Sequence, residues 1–182
     1  MASNIELFTI GHSTHSQGEF LGLLRKHQIK ALVDIRRFPS SRKYPQFNQK
    51  DLSMALRENG IEYHWIEALG GRRPKRKGFV SPNTGLRNES FRNYADYMLT
   101  DEFRHGMVTL NEIAGARRTA IMCAESVYWR CHRRLVSDFV LAKGGAVQHI
   151  VPTGELKPHE LTPWAKIHEG VVAYPGPKTL FD

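Results

Sequence analysis

Cys123, Glu125, Arg130, Cys131, His132 and Arg133 stand in one short stretch, C-A-E-S-V-Y-W-R-C-H-R, and no other cysteine occurs in the chain. Three chemistries could use such a set. A thiol flanked by arginines near the start of a helix has a lowered pKa and is a nucleophile. Two cysteines and a histidine are soft metal ligands, and His12 offers a fourth, although the spacing matches no zinc finger. A glutamate in a partly dry turn can serve as general acid or base. The bland reading stands beside all three: a free cysteine is usually a buried, inert hydrophobe, and Glu125 then simply pairs with Arg133. Charges crowded into one turn weigh against it, because they are rarely buried without a partner or a task.

What must position this stretch is legible on either side of it. Thr119 to Cys123 reads as a short buried strand, and Leu135, Val136, Phe139 and Val140 repeat at helical spacing up to about Lys143, before Gly144-Gly145. The reactive residues therefore occupy a strand-to-helix turn. Upstream, Glu6 to Ile10 reads as a first strand ending in Gly11-His12-Ser13. Ser16-Gln17-Gly18-Glu19 is a capping box opening a helix whose buried face is Phe20, Leu23 and Leu24. Ala31 to Ile35 is a second strand, so the unit is β-α-β, parallel and right-handed.

A loop from Arg36 to Phe47 follows, with two prolines and four cations. Asn48 caps the next helix, Leu52, Ala55 and Leu56 form its apolar stripe, Gly60 stops it, and Ile61 to Ile66 is a third strand. Glu67 to Asn88 is a long loop containing the basic run Arg72 to Lys77, and a loop of that length is usually functional or disordered. Helical texture from Ser90 divides into two helices near Thr100. Ala146 to Val151, with His149, is the fifth strand, and residues 152–182 are a Pro-rich extended tail that wraps the core.

The 182 residues suit a single domain, with its core at about residues 5–151, and 41% hydrophobic content supports an ordinary core. The expected architecture is α/β: a three-layer, Rossmann-like domain with a mostly parallel sheet of about five strands and helices on both faces. No stretch approaches the about 20 apolar residues of a membrane span, and no signal segment is evident at the amino terminus, so the expected location is the cytoplasm. Two cysteines make no disulfide framework, and a reducing compartment leaves them as thiols. The net charge of +8, from 26 Lys and Arg against 18 Asp and Glu, favours polyanionic partners. A basic surface that only aids solubility is the competing explanation.

Parallel strands open their following loops at one sheet edge, so the topology gathers residues distant in sequence. His12 and Ser13 come from the first strand, Asp34, Arg36 and Arg42 from the second, and Glu67, Arg72 and Arg73 from the third. Cys123, Glu125, Cys131, His132 and Arg133 come from the fourth. Ligands of open α/β sheets bind at that edge.

A wider pattern runs through these residues: Thr9-Ile10-Gly11-His12-Ser13, Val33-Asp34-Ile35-Arg36 with Pro39 and Ser41-Arg42, Leu69-Gly70-Gly71, Cys123-Ala124-Glu125, Cys131-His132-Arg133 and His149-Ile150. In this order and combination the chain resembles the family called domain of unknown function 488. The resemblance implies a compact α/β domain with Cys123, Glu125, Cys131, His132 and Arg133 at signature positions, and it brings no activity with it.

The expected function is an enzyme acting on nucleic acid or a nucleotide, hydrolytic and of the N-glycosidic or base-processing kind. Glu125, Cys123 and His132 would be catalytic, and His12, Ser13, Arg36, Arg42, Arg72, Arg73, Cys131 and Arg133 would hold substrate phosphate. Tyr44, Phe47, Tyr128 and Trp129 could wall a base. No metal or other cofactor is expected, zinc being the one candidate. A Cys-x5-Arg phosphate loop is absent, since the residue at that spacing from Cys131 is Ser137 and Arg130 lies one position too far from Cys123. Two other classes stay open: a nucleic-acid-binding module without catalysis, and a thiol- or metal-dependent enzyme on a phosphorylated small molecule.

Overall fold

The computed structural model describes residues 5–177. Its main sheet has six strands: β1 (Glu6–Gly11), β2 (Ala31–Asp34), β3 (Glu62–Trp65), β4 (Thr119–Cys123), β5 (Ala146–Ile150) and β6 (Leu156–Pro158). The helices are α1 (Gln17–Lys26), α2 (Gln49–Glu58), α3 (Glu89–Tyr97), α4 (Asp101–Ala116) and α5 (Arg133–Ala142). Strand order is β3-β2-β4-β1-β5-β6, parallel except for β6.

This order explains the layers. The chain steps one way across the sheet from β1 through β2 to β3, then back the other way through β4 to β5. A constant crossover hand then puts the connecting helices on opposite faces. Phe8, Ile10, Leu32, Ala120 and Met122 pack against Phe20, Leu24, Leu52 and Leu56 of α1 and α2. The alternate residues Leu7, Val33, Ile121 and Val147 pack against Tyr94, Phe103, Leu110, Leu135 and Val136 of α3, α4 and α5. β1 beyond Glu6 and the whole of β4, covered on both sides, are correspondingly buried.

Local signals are realised closely. Ser16 accepts from the Glu19 N–H while the Glu19 carboxylate accepts from the Ser16 N–H. The buried face of α1 is Phe20, Leu21 and Leu24, with Leu23 at its margin. Asn48 precedes α2 but does not cap it with its side chain; its Oδ1 accepts from the Ser41 N–H and ties down the basic loop instead. Thr100 separates α3 from α4 and accepts from the Phe103 N–H.

The tail departs from expectation. Its prolines do keep much of it extended, but β6 adds an antiparallel sixth strand to the sheet. Two further strands, β7 (Lys166–His168) and β8 (Val171–Ala173), form a hairpin. His159, Thr162 and Tyr174 are buried with Asp138 of α5, which receives hydrogen bonds from all three. The physical reason is the buried carboxylate: Asp138 is 0% exposed, and among the described residues its donors all come from the tail.

Candidate functional site

β1 and β4 lie side by side, yet the chain leaves β1 toward the α1 face and β4 toward the α5 face. That divergence opens a crevice at the carboxyl edge of the sheet, the topological switch point of a doubly wound fold. A cleft of about 800 Å³ occupies it, lined by residues that include His12, Ser13, Tyr44, Cys123, Cys131 and His132. Its walls are fastened together beyond the strands by His12 N–H to Cys123 O (2.9 Å) and Ser13 N–H to Ala124 O (3.0 Å). A Cβ on Gly11 would stand 1.8 Å from Glu125 O, so this crossing requires glycine. Ser13 and Arg72, both lining the cleft, have positive φ of 47° and 56°. Strain of this kind gathers at functional sites.

At the cleft floor Cys123 Sγ and Cys131 Sγ are 2.7 Å apart, both buried and both free thiols. His132 follows Cys131 directly. Its Nε2 lies 2.9 Å from Ile35 O, and a carbonyl only accepts, so Nε2 carries the proton and Nδ1 is an acceptor. That Nδ1 stands 3.5 Å from Cys131 Sγ. Burial holds the His132 pKa below its ordinary value, which keeps the ring neutral. Tyr94 packs edge-on against the ring, and a Cβ on Gly71 would press on Nδ1 at 2.9 Å.

Arg133 lies beneath the thiols at 1% exposure. Its Nη2 donates to Glu125 O (2.7 Å), its Nη1 to Thr9 Oγ1 (3.3 Å), and its backbone N–H points to Cys131 Sγ (3.4 Å). Among the described residues no carboxylate pairs with it, and its Nε has no hydrogen-bond partner. A buried guanidinium without an anion is costly. Burial works against its charge, yet the two sulfurs hold its pKa above the ordinary value. The effect is reciprocal: burial pushes the Cys131 thiol up, but the Cys123 S–H and Arg133 outweigh it and bring Cys131 down to about 7. Burial and its partner push Cys123 well up, so Cys123 keeps the proton.

A chain of hydrogen bonds runs from Arg133 into the tail. Thr9 Oγ1 contacts His149 Nδ1 (2.7 Å), His149 Nε2 contacts His159 Nδ1 (2.9 Å), and His159 Nε2 contacts Asp138 Oδ1 (2.8 Å). With Asp138 ionised and both imidazoles neutral, every donor in this chain points from Arg133 toward Asp138. Tyr128 stacks on His149 with ring centroids 3.5 Å apart.

The remaining sequence candidates divide. His12 donates from Nδ1 to Ser13 O and stacks on Phe47; burial, with Arg36 adding to it, lowers its pKa to about 4. Glu125 is exposed at the lip, and its side chain has no partner among the described residues, so the partly dry carboxylate expected here is not what the turn provides. Arg36 lines the cleft, but its guanidinium grips Asp34 in a bidentate pair and donates to Phe47 O, which leaves little of it for a ligand. Arg73 is likewise spent on Gly70 O, Glu67 O and the Tyr97 ring. Arg42 is exposed and outside the cleft lining. Arg133 is too buried to meet a ligand directly.

Of the aromatic wall, only Tyr44 lines the cleft; Phe47 is core, Tyr128 is occupied by His149, and Trp129 lies outside. Phe38, Phe91 and Tyr94 line it instead, with Arg37, Lys43, Arg72 and Arg130 supplying charge. Of these, Arg72 is an expected phosphate contact and Arg130 belongs to the reactive stretch; Phe38, Arg37 and Lys43 lie in a loop without periodicity, and Phe91 and Tyr94 sit on α3, whose helical spacing does not tell a cleft-facing aromatic from a core one. Among the described residues no group of three His, Cys, Asp or Glu side chains converges as a metal site would. His12 Nδ1, turned to Ser13 O, is not a fourth ligand.

Fold and cleft together define a doubly wound α/β protein with a cation-rimmed, thiol-floored crevice at its switch point. The chain belongs to the family called domain of unknown function DUF488, whose model matches residues 16–140. That span holds the Arg36 loop, Gly70-Gly71 and the whole Cys123 to Arg133 turn; Gly11-His12-Ser13 and His149 lie outside it. No curated protein and no solved structure gives a significant match.

Proposed function

We propose that the cleft is the active site of a hydrolase-type enzyme acting on a nucleotide or nucleic acid, with Cys131 as nucleophile. The observation that carries this is the buried Arg133, whose charge no carboxylate among the described residues answers and which lies against Cys131. A thiolate there resolves the cost of burying that charge. His132 Nδ1 can take the Cys131 proton and return it to a leaving group, with Ile35 O holding the tautomer; nucleophile, base and orienting group then stand in sequence. Arg37, Lys43, Arg72 and Arg130 favour an anionic ligand, and Phe38, Tyr44, Phe91 and Tyr94 offer faces to a base. Glu125, open to water, has a minor part in this reading.

A screen of nucleotides and of damaged and unmodified oligonucleotides under reducing conditions tests it. Turnover should fall by orders of magnitude in Cys131→Ser and stay near wild type in Glu125→Gln. The opposite result returns the chemistry to the carboxylate. If nothing turns over while oligonucleotides still bind, the protein is a binding module. Three exposed cations, Arg72, Lys75 and Lys77, favour that second reading, since their side chains have no polar partner among the described residues.

A further inference from the structure

A nucleophile needs one thiol, and the cleft floor holds two. Cys123 and Cys131 come from opposite ends of the turn, one closing β4 and the other preceding α5, and the fold presses their sulfurs to 2.7 Å. A disulfide closes at about 2.05 Å, so the sulfurs have less than about one ångström left to travel. Neither thiol ligates a metal group among the described residues, and both line the cleft. At 3% and 4% exposure they are open to a very small reagent and closed to a bulky disulfide.

We propose that Cys131 and Cys123 are a two-thiol redox centre that reduces small hydroperoxides, Cys131 taking the oxygen and Cys123 closing an internal disulfide. This rests on the reading of Cys131 as the nucleophile. In the first step Cys131 gives its proton to His132 Nδ1 and the thiolate attacks one peroxide oxygen. The S–O bond forms, the O–O bond breaks, and the departing oxygen takes the proton from His132, leaving as water from hydrogen peroxide or as an alcohol. In the second step the Cys123 sulfur attacks the Cys131 sulfenic acid. The S–S bond forms, the S–O bond breaks, and the released oxygen leaves as water with the Cys123 proton. Two thiols are oxidised by two electrons and one peroxide is reduced; a thiol reductant restores the pair. The two sulfurs suit these parts. The attacking thiol does best with a pKa near ambient pH, and the partner is held protonated until it is needed.

The test treats reduced protein with a modest molar excess of hydrogen peroxide, blocks remaining thiols with iodoacetamide and measures intact mass. Wild type should lose two hydrogen atoms, carry no alkyl group and remain monomeric on a non-reducing gel, and dithiothreitol should reverse the change. Cys123→Ser should stop at one added oxygen on Cys131, captured by dimedone, and Cys131→Ser should not react. Two alkylatable thiols surviving in wild type would overturn the proposal, as would cross-linked dimers in place of the internal bond. A Cys131→Ser variant as reactive as wild type would overturn it too. Because the readout is mass, a protein without nucleotide turnover can still pass this test, and an active one can still fail it.

Discussion

At the scale of a single residue, Arg133 bears most on the cleft's chemistry, since its buried charge joins the Cys123 S–H in making Cys131 acidic. The rate of Cys131 alkylation by iodoacetamide in Cys123→Ser should therefore rise with pH toward a plateau. In the wild type its midpoint should lie at about 7, and removing the donor altogether, in Cys123→Ala, should move it upward. Arg133→Met should move it up further and Arg133→Lys by less, with circular dichroism confirming that each variant is folded. A midpoint unmoved by Arg133→Met would show that the guanidinium does not stabilise the thiolate. Histidines set a second pH dependence. Burial lowers His12 to about 4, and burial with His159 and Arg133 lowers His149 to about 3. Both titrate near 6.5 when unfolded, so below that pH the unfolded chain binds more protons than the fold. Stability from these groups is present above pH about 6.5 and is lost as pH falls toward their folded values. Thermal melts should drop from neutral pH to pH about 4, and His149→Gln should show a shallower drop than wild type.

At the scale of elements, two glycines place the reactive side chains. Gly11→Ala puts a methyl into Glu125 O at 1.8 Å, where backbone must move, so a loss of at least about 1–3 kcal/mol is expected in urea unfolding. Gly71→Ala presses first on the His132 ring, at 2.9 Å, a side chain and not backbone. It should cost less stability and should alter Cys131 reactivity; an unchanged alkylation profile would place His132 outside the chemistry. The basic loop also reads differently once folded. Of the five cations between Arg72 and Lys77, Arg73 is buried and Arg76 donates to Asp96 O while stacking on Phe79. Three are left for phosphate. Replacing Arg72, Lys75 and Lys77 with Ser should flatten the dependence of log affinity on log salt by about one to three for duplex DNA, at ~0.9 for each phosphate no longer neutralised. Parallel slopes for variant and wild type would assign the loop to solubility alone.

For the whole molecule, the consequential contact is between the tail and α5. Tyr174 donates to Asp138 Oδ2 at 2.7 Å with both groups at 0% exposure, so Tyr174→Phe should cost about 1–3 kcal/mol by denaturant titration. Asp138→Asn should cost more, because His159, Thr162 and Tyr174 are together deprived of their charged acceptor. If the hydrogen-bond chain also orients Arg133, Asp138→Asn will shift the Cys131 alkylation midpoint, whereas Tyr174→Phe will shift only the unfolding curve. No helix among the described residues is long and apolar enough to cross a membrane.

The sequence by itself determined the elements and their gathering at one edge. Short apolar runs such as Thr119 to Cys123, the Ser16 to Glu19 capping box and the break at Thr100 are local signals, and parallel strands must open their loops together. It also determined which turn holds the reactive residues, since Cys123, Cys131, His132 and Arg133 are neighbours in the chain. Only the tertiary structure decided their roles. Arg36 and Arg73 look like ligand cations in a string of letters, and both are consumed by Asp34 and by carbonyls that only the folded loops bring near. Glu125 looks enclosed, and the turn leaves it in water. The histidine tautomer and the link from Asp138 through His159 and His149 to Arg133 depend on contacts between residues far apart in the chain, and the thiol that becomes acidic depends on how the folded turn buries near neighbours against one another. Burial and hydrogen-bond partners, which no spacing rule encodes, set all three.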